Sequence, residues 1–346
     1  FGEYGVPHLA FATFQGMFAV ITAALISGAY AERMAFPAFA LFTLLWSTFV
    51  YAPLAHWVWG GGWLAKMGAL DFAGGTVVHI SSGVSALVAA LLVGPRAGYP
   101  ERVSRPHNIP FTVVGASLLW FGWFGFNAGS ALTSGALAAW AFTVTNTAAA
   151  AAGLTWAALE WARRGAPSLV GAASGAVAGL VAITPASGYV GIPASIAIGV
   201  GAGLLCYLAV NVLKPRLGYD DSLDVFGVHG VAGTWGAVAT GLFASRAINP
   251  AAADGLLFGN PAQLGAQLAS VGAAWVLAGV GTFVLLKVVA AVTPLRVARE
   301  QELAGLDVAL HGEAAYEGQQ EAVSRAGALP LAGSAAPAHA GPSPSS

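Results

Sequence analysis

Ile109-Pro-Phe-Thr-Val-Val-Gly-Ala-Ser-Leu-Leu-Trp-Phe-Gly-Trp-Phe-Gly-Phe-Asn-Ala-Gly-Ser130 lies inside a run, residues 106 to 159, that contains no Asp, Glu, Lys or Arg. A bilayer core about 30 Å thick takes about 20 apolar residues per helix, so this window holds two crossings. Gly129-Ser-Ala-Leu-Thr-Ser-Gly135 supplies the turn between them. Working outward, residues 34 to 65, 72 to 95, 165 to 213, 225 to 245 and 255 to 286 are equally free of charge. The window at 165 to 213 also divides, at Thr184-Pro-Ala-Ser-Gly-Tyr-Val-Gly-Ile-Pro193. About nine spans are therefore expected, at 8–29, 36–58, 74–93, 110–130, 135–160, 168–184, 191–213, 226–245 and 264–290, in an all-α integral membrane protein surrounded by lipid.

Composition agrees. Charged residues make up 8% of the 346 and apolar residues 57%, whereas soluble domains carry about 25% charge. A formal net charge of −1 and the lack of any basic patch exclude nucleic acid as a partner. The 46 glycines lie largely within the spans, at spacings such as Gly171-Ala-Ala-Ser-Gly175, Gly199-Val-Gly-Ala-Gly203 and Gly230-Val-Ala-Gly233. Small faces of this kind let membrane helices approach closely. The single cysteine, Cys206, has no partner for an internal disulfide and no metal-ligand company, so neither a metal nor a cofactor is expected.

Lys and Arg alternate between the two sides. Arg33, Arg96, Arg102, Arg105, Arg163, Arg164, Lys214, Arg216, Arg296 and Arg299 fall in one set of connections, and only Lys66 and Arg246 in the other. The positive-inside rule puts the first set in the cytoplasm, so that the chain starts outside and ends inside a plasma (inner) membrane. An odd number of spans requires the same.

Two histidines stand in apolar stretches whose other titratable side chain is the Asp that opens each: His79 after Asp71-Phe-Ala-Gly-Gly-Thr-Val-Val, and His229 after Asp224-Val-Phe-Gly-Val. An ionisable group within an apolar span is costly and faces a pathway or a partner, which points to handling of protons or of a small polar solute. Each follows a Val, is followed four residues later by Gly83 or Gly233, and is preceded by an Asp, Asp71 or Asp224. The first histidine span runs inward and the second outward, as in an inverted repeat with its functional site where the halves meet.

Seven segments carry a family resemblance: Phe14-Gln-Gly-Met-Phe18, Gly28-Ala-Tyr-Ala-Glu-Arg33, Ala55-His-Trp-Val-Trp-Gly-Gly-Gly62, Asp71 to His79, Phe121 to Ser130, Asp224 to Gly230, and Gly305-Leu-Asp-Val-Ala-Leu-His-Gly-Glu313. In these the chain resembles the ammonium transporter family (Amt/Mep/Rh), of the Amt type, from near residue 7 to about residue 317. The resemblance implies eleven spans, two inverted five-helix halves plus a last helix. This sequence opens at Phe1-Gly-Glu-Tyr4, where the third span of that plan would stand, and an upstream N-terminus is expected.

The resemblance also assigns roles. Trp59, Ser130 and Phe18 would recruit ammonium at the outer mouth, with an indole face for the cation and a hydroxyl to accept its N–H. Phe18 and Phe126 would form a gate, supported by Phe14. His79 and His229 would face each other in the pore, leaving ammonia or ammonium as the solute. Asp71 would cap the His79 helix rather than bind the cation. Residues 1–292 would be the transport domain and 293–318 a cytoplasmic regulatory region able to meet a nitrogen-regulatory PII protein. Residues 319–346, rich in Ala, Pro, Gly and Ser, are expected to be disordered. A homotrimer is implied by the family alone. A neutral gas channel of the Rh kind and an ammonium sensor signalling through the tail are the competing readings. A hydrolase using Ser174 with His229 has only an imperfect Gly/Ser spacing behind it, and no enzyme is expected.

Overall fold

The computed structural model describes residues 5–101 and 106–314. Arg102 and Arg105 of the charge pattern, the last residues of the 293–318 region and the whole of 319–346 lie outside the described residues. The described chain is helical: α1 His8–Tyr30, α2 Phe36–Lys66, α3 Gly75–Val93, α4 Ile109–Ala128, α5 Ala136–Arg164, α6 Leu169–Ile183, α7 Ile192–Leu217, α8 Phe226–Gly230 continuing as Val231–Phe243, and α9 Pro261–Val292, followed by a short α10, Arg299–Ala304. Each span expected from sequence falls on one of the first nine. Seven of them are long and apolar enough to cross a membrane. The other two are α6, of 15 residues, and α8. Both are lined with glycine and alanine, and α6 is buried throughout residues 175–183, so the hydropathy of that stretch serves protein contacts rather than lipid.

Helix starts follow local chemistry. Pro37, Pro110, Pro193 and Pro261 occupy first-turn positions, where a missing N–H costs nothing. The side chains of Asn108 and Ser168 accept the N–H groups of Phe111 and Gly171 at the starts of α4 and α6. Packing depends on absent side chains. A Cβ on Gly203 of α7 would stand 2.7 Å from the Ala152 carbonyl oxygen of α5, and one on Gly175 of α6 would stand 2.9 Å from that same oxygen. Three helices thus share a seam that no larger residue fits.

The first three helices and α6 to α8 repeat one design. A π-helical turn interrupts α2 at Ser47–Tyr51 and α7 at Ala209–Leu213, and another opens α3 at Gly75–Ile80 and α8 at Phe226–Gly230. Both histidines sit in the opening turns. The two helices run antiparallel. Gly94, at the end of α3, accepts a hydrogen bond from Arg33, whose guanidinium also donates to the Asp220 carbonyl just before α8. At the other end, Tyr189, whose carbonyl accepts the Ser245 N–H just after α8, packs edge-on against Phe72 just before α3. Where α3 and α8 cross, a Cβ on Gly83 would fall inside the Gly230 backbone.

Behind α9 the chain returns to the Arg33 end. Ala35 donates to the Leu295 carbonyl at 2.9 Å, and Val297 donates to the Arg33 carbonyl at 3.1 Å. Glu302 of α10 pairs with Arg296 at 2.6 Å and accepts the Ala97 N–H at 2.6 Å, and His311 lies edge-on to Phe36. The 293–314 segment is therefore fastened to the loops after α1 and α3.

Candidate functional site

Asp71 organises one end. Its two carboxylate oxygens accept four backbone N–H groups, from Gly74 at 2.8 Å, Gly75 at 2.6 Å, Thr76 at 2.8 Å and Val77 at 3.0 Å. These are the donors that the start of a helix leaves without intrahelical partners. The Asp71 carbonyl accepts the indole N–H of Trp59 at 2.8 Å, which ties the ring to the same corner.

From Trp59 an unbroken column of rings leads inward. Phe18 lies edge-on to Trp59 with centroids 5.7 Å apart, and Phe126 packs on Phe18 at 4.7 Å. His79 stacks beneath Phe126 at 5.8 Å, and His229 beneath His79 at 5.3 Å. The imidazoles meet through Nδ1, 3.2 Å apart. Both are buried, and His79 Nε2 has no hydrogen-bond partner among the described residues. Phe14 meets Phe18 edge-on at 4.9 Å, and its ring approaches Gly129 next to Ser130. The Ser130 hydroxyl donates to the Phe126 carbonyl at 2.7 Å, so its oxygen lone pairs remain for an incoming donor.

One member was not singled out from sequence. Trp123 stacks on His79 at 5.3 Å and on Phe126 at 4.9 Å, and its indole N–H donates to Thr184 at 2.9 Å. It stands three residues before Phe126, hence on the same helix face, and that spacing was the available signal. A second reading requires correction. The repeat matched Asp71 with Asp224, but Asp224 Oδ1 pairs with Lys214 at 2.6 Å. The carboxylate that accepts a backbone N–H at the start of α8 is Asp221, through Phe226 at 2.7 Å. Asp221 stands eight residues before its histidine, as Asp71 does. Asp224 instead matches Gly74, five residues before the histidine, and both adopt positive φ, +59° and +114°. The shared element is the left-handed turn, which a glycine makes freely and an Asp tolerates.

Residues 1–316 match the model of the Ammonium Transporter Family. The chain belongs to the ammonium transporter family. It is 53% identical over 318 residues to the ammonium transporter of Bacillus subtilis, covering 91% of this chain and 78% of that protein. Identity to ammonium transporter Amt1 of Archaeoglobus fulgidus is 51%, covering 89% and 78%. Among solved structures, Mep2 of Saccharomyces cerevisiae superposes with a TM-score of 0.79 at 41% identity, covering 85% of this chain and 68% of that one. A sensor Amt protein superposes with a TM-score of 0.79 at 34% identity, covering 87% and 76%. As a member of the ammonium transporter family the protein is a multi-pass membrane transport protein and not an enzyme.

Proposed function

We propose that this chain moves ammonium nitrogen across a plasma (inner) membrane through the column from Trp59 to His229. The observation that carries this is the Nδ1 contact between His79 and His229 at the foot of the aromatic column. Two nitrogens 3.2 Å apart share one hydrogen. The ring that donates keeps a bare Nε2 that accepts, and the ring that accepts keeps an Nε2–H that donates. A solute with both N–H groups and a lone pair is served in turn, beside the stacked rings of Trp123 and Phe126.

Recruitment falls to the face of Trp59 and the Ser130 oxygen at the outer mouth, with Phe18 beside them. Cation–π attraction of roughly 0.5 to 2 kcal/mol holds ammonium without trapping it. The rings of Phe18 and Phe126, propped by Phe14, close the path to water, and a bare cation pays heavily to be desolvated there. Ammonium relieves that cost by giving up a proton, whereas potassium has none to give. Selectivity then rests on chemistry rather than on size.

The ion-pair and hydrogen-bond network of Arg33, Arg96, Lys214 and Arg296 at the end opposite Trp59 supports a cytoplasmic placement for that end and an external one for the start of the chain. It also supports reading 1–292 as the transport domain and 293–318 as a docked cytoplasmic region where a PII-type regulator would act. Assembly as a homotrimer, one pore per subunit, follows the family. The transporter reading is supported by the 53% and 51% identities to proteins named ammonium transporters.

The test is the current evoked by an ammonium jump on proteoliposomes, with a potassium jump as control. A transient with ammonium alone supports selective, charge-moving transport. Uptake of ammonia without current would replace it with neutral gas conduction of the Rh kind.

A further inference from the structure

Asp71 and Asp221 occupy the same position in the two halves and are partnered in opposite ways. Asp71 has both oxygens engaged by four N–H donors. Asp221 has Oδ2 on the Phe226 N–H, while Oδ1 is buried with no hydrogen-bond partner among the described residues. The residue itself has no solvent exposure. An ionised carboxylate with one oxygen neither solvated nor bonded is poorly stabilised, and a proton on that oxygen removes the charge.

The surroundings do not restore the balance. From the end of α7, Lys214 donates its ammonium to the Asp221 backbone carbonyl at 2.5 Å and to the Asp224 carboxylate at 2.6 Å, leaving the Asp221 side chain aside. From the turn after α3, Arg96 clamps the Asp220 carboxylate, and from the end of α1, Arg33 donates to the Asp220 carbonyl and to Ser222. Asp224 adds negative charge, and Tyr219 is the remaining titratable neighbour in the loop. Burial raises the Asp220 carboxyl, but the hydrogen bonds from Arg96 outweigh it and hold that carboxyl below its ordinary value. Burial pushes Asp221, which lacks such a clamp, up to about 6.

The loop that contains Asp221 holds α8 against α1. Ser222 donates to the Ala29 carbonyl at 3.3 Å and Leu223 to the Gly28 carbonyl at 3.1 Å. Undocking this loop exposes Asp221 to water and returns it to an ordinary carboxyl.

We propose that Asp221 is a proton-binding site at the end of the molecule opposite Trp59, and that proton uptake there fastens the 219–224 loop and the start of the His229 helix to α1. The docked loop binds the proton more tightly than the undocked one, so docking strengthens as pH falls through about 6 and gains nothing more below the ordinary value of 3.8. Above about 6 the penalty is complete and the loop opens most. The pair Asp71 and Asp221 is then unequal by design: one end of the repeat is fixed, and the other responds to protons. This goes beyond transport and does not depend on which solute moves.

The measurement is hydrogen–deuterium exchange of the 219–226 amides in the whole protein in lipid nanodiscs between pH 5 and 7, corrected for intrinsic exchange. The opening constant should rise about tenfold over that interval, from the displacement between 3.8 and about 6. Asp221→Asn, neutral at every pH, should flatten the dependence while still accepting the Phe226 N–H. Lys214→Met, which removes the nearest cation, should move the midpoint upward. A flat profile in the parent protein, an unchanged slope in Asp221→Asn or an unmoved midpoint in Lys214→Met would each overturn the proposal.

Discussion

Replacing Asp71 by Asn keeps the shape of the side chain and removes half its capacity to accept. The carboxylate takes four N–H groups at 2.6 to 3.0 Å, all at buried positions. An Asn carbonyl oxygen can keep two of them, and its NH2 group then faces the other two donors. Each buried donor left unpaired costs about 1 to 3 kcal/mol, so the loss is about 2 to 6 kcal/mol before the lost charge assistance is counted. The centre of that range, about 4 kcal/mol, corresponds to roughly a thousandfold in the folded-to-unfolded ratio. The unfolding midpoint of Asp71→Asn in mild detergent, followed by tryptophan fluorescence against denaturant, should fall accordingly. Ammonium-evoked current should decline with it, because Asp71 also anchors Trp59 and the turn that carries His79. If Asp71→Asn unfolds within about 1 kcal/mol of the parent yet transports poorly, the carboxylate acts on the cation through its charge, and the capping argument fails.

Other perturbations separate the remaining parts. His79→Ala removes the shared hydrogen and a polar wall of the path, so the ammonium transient should be lost or accompanied by a new potassium current; an unchanged ratio of the two would remove the histidine pair from selectivity. Gly83→Ala forces a methyl into the Gly230 backbone and should cost about 1 to 3 kcal/mol, seen as a lower unfolding midpoint, while Gly122→Ala, with nothing within 4 Å, should be neutral or slightly stabilising. Glu302→Gln gives up the 2.6 Å pair with Arg296, of which the carboxylate is the more buried partner, and limited proteolysis should cut the 293–314 segment faster. Equal rates would mean that the Arg296 pair adds nothing to the backbone bonds of Ala35 and Val297, the Ala97 hydrogen bond and the His311 contact.

The helical spans and their breaks were legible because lipid imposes a coarse rule that composition must obey: long stretches without charge, ended by glycine, proline or arginine. The histidines stood out for the same reason. The π-helical turns at Gly75–Ile80 and Phe226–Gly230 left no such mark, since one extra residue per turn depends on what packs around the helix. Trp123 was hidden among eleven tryptophans because stacking on His79 requires knowing which face of α4 meets α3. Asp221 was passed over for Asp224 because proximity in sequence favours the nearer carboxylate, whereas reaching back to a free N–H depends on the left-handed turn at residue 224.

Sequence by itself determined that this is a polytopic helical membrane protein with small-residue seams, because burial in lipid and close helix approach restrict residue type at every position in a span. Its family motifs named the residues of the candidate pore. Only the tertiary structure decided that the antiparallel α3 and α8 cross at Gly83 and Gly230, that the two imidazoles meet through Nδ1, and that the matching carboxylates Asp71 and Asp221 are one satisfied and the other not. The first two belong to distances between residues about 150 positions apart, which packing sets and local sequence does not show; the third depends on which backbone N–H groups each turn aims at its carboxylate.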